Sequence, residues 1–200
     1  MPRKLAHGSK IILATSNIVK KREILNLLEP YGLDIIFSDN LKPKDHEENG
    51  RTFCENALIK AQAYLSGDSP VLSDDSGLVI PALNGRPGIF SARFAEEVGG
   101  YPRVFEVLEQ ELSSSKDYRA YFECCLVLLW PEGHGESFSG RVEGTLVFPP
   151  RGYQGQKNYD SIFIPEGSTK TFAEMKLEEK QKISHRAQAV RKLIQYCLEP

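Results

Sequence analysis

Asp74-Asp75-Ser76-Gly77 places two adjacent carboxylates directly after a strand-like run, Val71 to Ser73. Neighbouring residues in extended chain point to opposite sides. One carboxylate can therefore face a cleft and hold a divalent cation while the other braces the loop. Hard oxygen ligands at a strand end suit Mg2+, which keeps several waters and binds phosphate oxygens. Asp, Ser and Gly are also turn formers, so in isolation the four residues read more simply as a solvated acidic turn.

Other segments acquire chemical meaning beside this one. Glu47 and Glu48 lie just before a capped helix and are a plain charge run alone, but Glu48 paired in space with Asp75 completes a carboxylate site for a metal. Thr15-Ser16-Asn17, with Lys20, follows an apolar run and opens a helix. Backbone N–H groups at a helix start attract phosphate, and Lys20 is within reach of the first turn. The pattern is not a P-loop, because its glycines and Gly-Lys-Ser/Thr ending are missing. Ser184-His185-Arg186 begins or interrupts the last helix. Residues 170–192 carry seven Lys or Arg against three Glu, a basic stretch suited to a polyanionic substrate. Taken singly, they read as a solvated loop, an ordinary capped helix and a solvated helix face. Together they supply a phosphate-reading helix start, hard-metal carboxylates and distal basic groups. The chemistry that fits is metal-assisted hydrolysis of a phosphoanhydride.

These groups need a frame. Lys10 to Ala14 reads as a short buried strand, and Ile24, Leu25, Leu27 and Leu28 as a helix ending at Pro30. Thr52-x-x-Glu55 has the form of a capping box and predicts a helix from Phe53, with Asn56 and Lys60 one turn apart on its polar face. Leu78 to Ile80 resumes as strand after the acidic corner. Val104, Phe105, Leu108 and Leu112 mark another helix, Tyr118 to Trp130 and Ser137 to Phe148 a long hairpin, and Ile183 to Cys197 a final helix. Strands and helices are mixed throughout, which predicts an α/β or α+β fold with a mixed sheet: one domain over residues 10–200 after a loose tail at 1–9, a layout that leaves room for two lobes around a cleft.

Composition narrows the class. With 200 residues, 40% of them hydrophobic, the chain can bury a core without staples. Twenty-five Lys and Arg against 27 Asp and Glu leave a formal charge of −2, which argues against coating nucleic acid or a membrane surface. The longest strongly apolar run, Cys124 to Trp130, is far short of the roughly 20 residues a membrane helix needs. The cysteines at 54, 124, 125 and 197 form no CxxC pair, so neither a zinc site nor a disulfide framework is expected, and a reducing cytoplasm fits better.

The ordered motifs resemble the inosine triphosphate pyrophosphatase (Ham1) family over residues 10–195. They are Thr15, Asn17, Lys20 and Glu23 as T-x-N-x-x-K-x-x-E; Glu48, Gly50, Thr52, Phe53, Glu55, Asn56, Ala57, Lys60 and Ala61 before and along the helix; DDSGL at 74–78; Ala82 to Ala95; and Glu179 to Ala189 around Ile183-Ser184-His185-Arg186. The resemblance implies an elongated mixed sheet with two lobes and a homodimer. It also implies cleavage of (deoxy)inosine and xanthosine triphosphates to monophosphate and pyrophosphate, which clears deaminated purines from the nucleotide pool. Residue by residue, it implies that Thr15, Ser16, Asn17 and Lys20 hold the triphosphate and that Lys60 adds positive charge. Glu48 and Asp75 bind Mg2+, Asp75 works on the attacking water, Asp74 braces the loop and Ser76 touches substrate. Tyr159 and Asp160 belong to the substrate site, and Lys180, His185 and Arg186 face the base.

One motif departs. The family's F-G-[YW]-D-P is Lys157-Asn158-Tyr159-Asp160-Ser161 here. Loss of the Phe predicts the same hydrolysis with altered or relaxed base selectivity, with Tyr153 as a candidate substitute stacker. A nucleotide-binding protein without catalysis is the alternative of another class. The intact Glu48, Lys60 and Asp75 argue against it.

Overall fold

The computed structural model describes residues 3–43 and 49–198. Its elements are β1 (Lys10–Ala14), α1 (Ile18–Leu28), β2 (Asp34–Phe37), α2 (Phe53–Tyr64), β3 (Val71–Val79), α3 (Ser91–Glu97), α4 (Tyr101–Leu112), β4 (Arg119–Leu129), β5 (Gly135–Leu146), β6 (Phe163–Pro165), α5 (Leu177–Ile183) and α6 (His185–Cys197). Six strands form one sheet in the order β2-β1-β3-β4-β5-β6. β1 pairs in parallel with β2 and β3, and β5 pairs antiparallel with β6. The expected mixed α/β class is what the chain adopts.

Two compact units divide the chain. The first takes residues 1–75, 124–140 and 185–200, the second 76–123 and 141–184. In the first, β1, α1, β4 and α6 contribute Ile11, Leu13, Ile24, Leu28, Leu126, Leu128, Val190 and Leu193 to one core. Leu5, expected in a loose tail, is buried in that core, and its N–H donates to the Cys197 carbonyl at 2.7 Å. In the second, α4 lays Val104, Phe105, Leu108 and Leu112 against Leu78, Ile80, Phe122, Phe163 and Phe172.

Three local readings change. β3 runs unbroken through Asp74-Asp75-Ser76-Gly77 over nine residues, so the acidic corner is the middle of a strand. Sheet pairing outweighs the turn propensity of these small polar residues. The helix expected from Ile183 to Cys197 is two, because α5 ends at Ile183 and Ser184 is extended (φ −64°, ψ 152°) before α6 starts. Thr52 does cap α2 by accepting the Glu55 N–H at 3.1 Å, but the Glu55 carboxylate reaches back to the Arg51 N–H rather than to that of Thr52.

The fourth change is covalent. Cys54 in the first turn of α2 is bonded to Cys125 in β4, against the expectation of no disulfide, while Cys124 and Cys197 stay free and buried. Spacing conveyed nothing because 71 residues separate the pair. Closing a loop of that length stabilises by about 4 kcal/mol on chain-entropy grounds. Cys54→Ser is expected to lower the urea-unfolding free energy by that order relative to oxidised wild type. A reducing agent should shift the wild-type midpoint and leave the variant's unmoved.

Candidate active site

In the first unit, β1 delivers Thr15 to the start of α1. The Thr15 Oγ1 accepts the Asn17 N–H at 3.3 Å. The Asn17 Oδ1 accepts the N–H groups of Val19 at 2.9 Å and Lys20 at 3.2 Å, so Asn17 is the α1 cap. Thr15 is buried while Ser16 and Asn17 are exposed. The cap fixes where α1 begins and hence where Lys20 and Glu23 project.

Both project into a buried charge network on β3. The Lys20 Nζ lies 2.9 Å from the Asp74 Oδ2. The Arg186 Nε lies 3.4 Å from the same oxygen, and its Nη1 pairs with the Glu23 carboxylate. The Lys60 Nζ donates to the Asp74 carbonyl at 2.9 Å. Burial pushes the Asp74 carboxyl up, but the charges of Lys20, Arg186 and Lys60 and the Lys20 hydrogen bond outweigh it and bring it down to about 2. Burial acts against the Arg186 charge too, and Glu23 and Asp74 overcome it, raising its pKa. The Asp74 Oδ1 remains buried without a hydrogen-bond partner among the described residues.

The Asp74 shift has a stability consequence. Its folded pKa lies below the ordinary 3.8, so its contribution is present above about pH 4 and is lost as pH falls through about 2. The loss is about 2 kcal/mol. Denaturant midpoints measured between pH 5 and pH 2 are expected to fall more steeply for wild type than for Asp74→Asn.

Asp75 points the other way and is held differently. The Asn56 Nδ2 donates to the Asp75 Oδ2 at 3.2 Å, and the Asn56 Oδ1 accepts the Gly50 N–H at 2.8 Å. Asn56 is fully buried. The Ser73 Oγ donates to the Ala57 carbonyl at 2.5 Å, pinning α2 to β3. Asn56 and Lys60, noted for their shared face, thus serve the two aspartates separately, Asn56 at the Asp75 carboxylate and Lys60 at the Asp74 backbone carbonyl. Glu48 lies outside the described residues. Among the described residues no group of three or more His, Cys, Asp or Glu is placed to hold a metal. Mg2+ asks for only one or two carboxylates with substrate oxygens and water, so the oxygen donor of Asp75 suits a hard cation.

α6 brings Arg186 to this network because Gly140 in β5 lets the helix start come close. A Cβ there would meet the His185 carbonyl and the Ala189 N–H. His185 is buried at the same helix start.

The second unit holds the remaining predicted residues. Ser76 lies half-buried on β3. Tyr159 is buried; its hydroxyl donates to the Ser91 carbonyl at 2.7 Å, and its ring meets Tyr101 edge-on at 5.2 Å. Burial, then the Tyr101 hydroxyl, pushes its pKa up, so it stays protonated. The Lys180 Nζ donates to the Asp160 Oδ2 at 2.7 Å and lies 5.3 Å from the Phe172 ring centre. Lys180 therefore belongs to a different unit from His185 and Arg186 despite its nearness in sequence. Lys157 is exposed. Tyr153 meets the Phe105 ring at right angles at 5.5 Å and is half-buried against the second core. Sequence reasoning missed Glu23 as the Arg186 partner and Asn158 beside Asp160. Membership of a motif was the only signal for the first.

The Ham1 family model matches residues 11–196. The chain is 41% identical over 200 residues to a dITP/XTP pyrophosphatase of Gluconobacter oxydans, covering 100% of this chain and 96% of that protein. It is 42% identical to a dITP/XTP pyrophosphatase of Zymomonas mobilis, covering 98% and 95%. A HAM1 protein from Coxiella burnetii has a similar structure, with a TM-score of 0.82 at 36% identity, covering 92% of this chain and 96% of that one.

Proposed function

This chain belongs to the Ham1 family, and from that premise we propose that it hydrolyses the α–β phosphoanhydride of dITP, ITP and XTP, releasing nucleoside monophosphate and pyrophosphate. The observation that carries the reading is the gathering of Lys20, Lys60 and Arg186 on Asp74, beside an Asp75 carboxylate oriented by Asn56. Cations collected around one aspartate, two on its carboxylate and one on its backbone carbonyl, suit a polyanionic tail, and the neighbouring carboxylate suits a water or a hard cation.

In this reading Thr15, Ser16, Asn17 and Lys20 hold the triphosphate, with Asp74 fixing the direction of Lys20. Asp75 with Glu48 would hold Mg2+, which would supply positive charge against the phosphate oxygens. Asp75 orients the attacking water and takes its proton. The water oxygen bonds to the α-phosphorus, the bond from that phosphorus to the bridging oxygen breaks, and pyrophosphate leaves with its charge spread over Lys20 and Lys60. Ser76 and His185 contact substrate. For the base, the proposal rests on a donor: the 6-keto oxygen of hypoxanthine or xanthine accepts a hydrogen bond from Lys180, where the amino group of adenine cannot.

A homodimer working on free nucleotides in the cytoplasm is part of the same proposal. No helix among the described residues is long and apolar enough to cross a membrane. The Cys54–Cys125 bond is the observation that runs against a reducing compartment. Relaxed base choice is a second reading, favoured by the exposed Lys157 where the family has Phe and by the engaged ring of Tyr153. The test is product analysis with dITP, XTP, dGTP and dATP, with Mg2+ and with a chelator. Equimolar monophosphate and pyrophosphate from dITP and XTP, lost on chelation, is expected. Release of orthophosphate would overturn the reaction. Equal rates with all four nucleotides would establish the second reading.

A further inference from the structure

Asp160 in the second unit receives two donors on one oxygen. The Lys180 Nζ reaches its Oδ2 at 2.7 Å and the Asn158 Nδ2 reaches the same atom at 3.0 Å. The Asn158 Oδ1 also accepts the Asp160 N–H at 3.1 Å. Asn158 therefore grips Asp160 at both backbone and carboxylate, in a side-chain turn of the kind Asn forms with the residue two positions on. Asp160 and Lys180 are buried, at 9% and 7% exposure, so the carboxylate has little water to turn it.

We propose that Asn158 is a positioning residue for base selection, holding the Asp160 carboxylate in the orientation that directs Lys180. The inference rests on Lys180 reading the base as proposed above. Its ground is a compensation within the chain. The related motif has Gly before the aromatic residue and Pro after the Asp, where this chain has Asn158 and Ser161. Proline restricts the backbone and removes an N–H; serine does neither. The Ser161 hydroxyl is buried without a hydrogen-bond partner among the described residues, so it does not replace the lost constraint. The two hydrogen bonds of Asn158 do. An amide also holds the carboxylate without cancelling its charge, which leaves that charge to Lys180. Because an ammonium on a flexible stem takes its direction from its partner, control of Asp160 is control of Lys180.

Asn158→Asp separates the two bonds. It keeps the acceptor that makes the turn but replaces the donor with a like charge; Asn158→Gly removes both. Steady-state kinetics with dITP and dATP, and Tm, are measured for both, for Lys180→Met and for Asn158→Asp/Lys180→Met. Asn158→Asp is expected to raise KM for dITP about tenfold, the loss of one hydrogen bond to a charged group. The KM for dATP and the Tm should change little, and the double variant should lose nothing beyond Lys180→Met. A wild-type KM for dITP in Asn158→Asp, with Asn158→Gly impaired, would reduce Asn158 to a turn former and overturn the inference alone. Equal KM increases for both nucleotides with a lowered Tm would overturn it as a general loss of loop structure. An unchanged base preference in Lys180→Met would overturn the base-end reading and this inference with it.

Discussion

Asp75→Asn is expected to lower kcat for dITP about a thousandfold while the protein stays folded. The substitution keeps shape and an oxygen acceptor, so the Asn56 Nδ2 that donates to the Asp75 Oδ2 at 3.2 Å keeps a partner. What is removed is the negative charge that, in the proposed function, takes a proton from water and would hold a cation. A positioned general base contributes typically 10²–10⁴ in rate. Pyrophosphate release at saturating nucleotide and Mg2+ measures the loss, with Tm as the control for folding. A residual rate within about tenfold of wild type would remove Asp75 from the chemical step, since even a weak general base contributes more than that.

The second large effect is on stability. Arg186→Met leaves Glu23 and Asp74 buried with one cation fewer, and breaking a buried ion pair at one partner costs about 3–5 kcal/mol. Burial already works against these charges, so the penalty falls on carboxylates with little access to water. Removing Glu23 as well should restore part of the loss. In Glu23→Gln/Arg186→Met the Glu23 charge is gone, and Asp74 keeps Lys20 at 2.9 Å. A urea-unfolding double-mutant cycle measures the coupling. Strictly additive losses would show that the two side chains do not act as a pair. Hydrolysis should remain impaired in the double variant even where stability recovers, because Arg186 also aligns Asp74.

Periodicity and capping make the helices around 53 and 104 and the strands around 10 and 119 legible in the amino-acid sequence, because each has its own local signal. Asp74-Asp75-Ser76-Gly77 fails as a local signal. Its residues favour turns in isolation, and only pairing with neighbouring strands makes them part of β3. Lys20, Lys60, Asp74 and Arg186 are visible as motif members. Their convergence on one aspartate is not, since the Arg186–Asp74 contact spans 112 residues. The same distance effect hides Cys54–Cys125. Tyr153 reads as a stacking face in the sequence because an aromatic side chain advertises nothing about its neighbours; in the fold Phe105 holds it.

The first unit is assembled from three stretches of chain, the last of which starts at His185. During synthesis, Glu23 and Asp74 leave the ribosome long before the guanidinium that neutralises them, and Leu5 emerges long before the Cys197 carbonyl its N–H meets. Such non-local closure slows folding and lengthens the time a nascent chain exposes unpaired charge and apolar surface. Chains that stall before residue 186 therefore carry α1 and both β3 carboxylates, yet lack the guanidinium that closes the network.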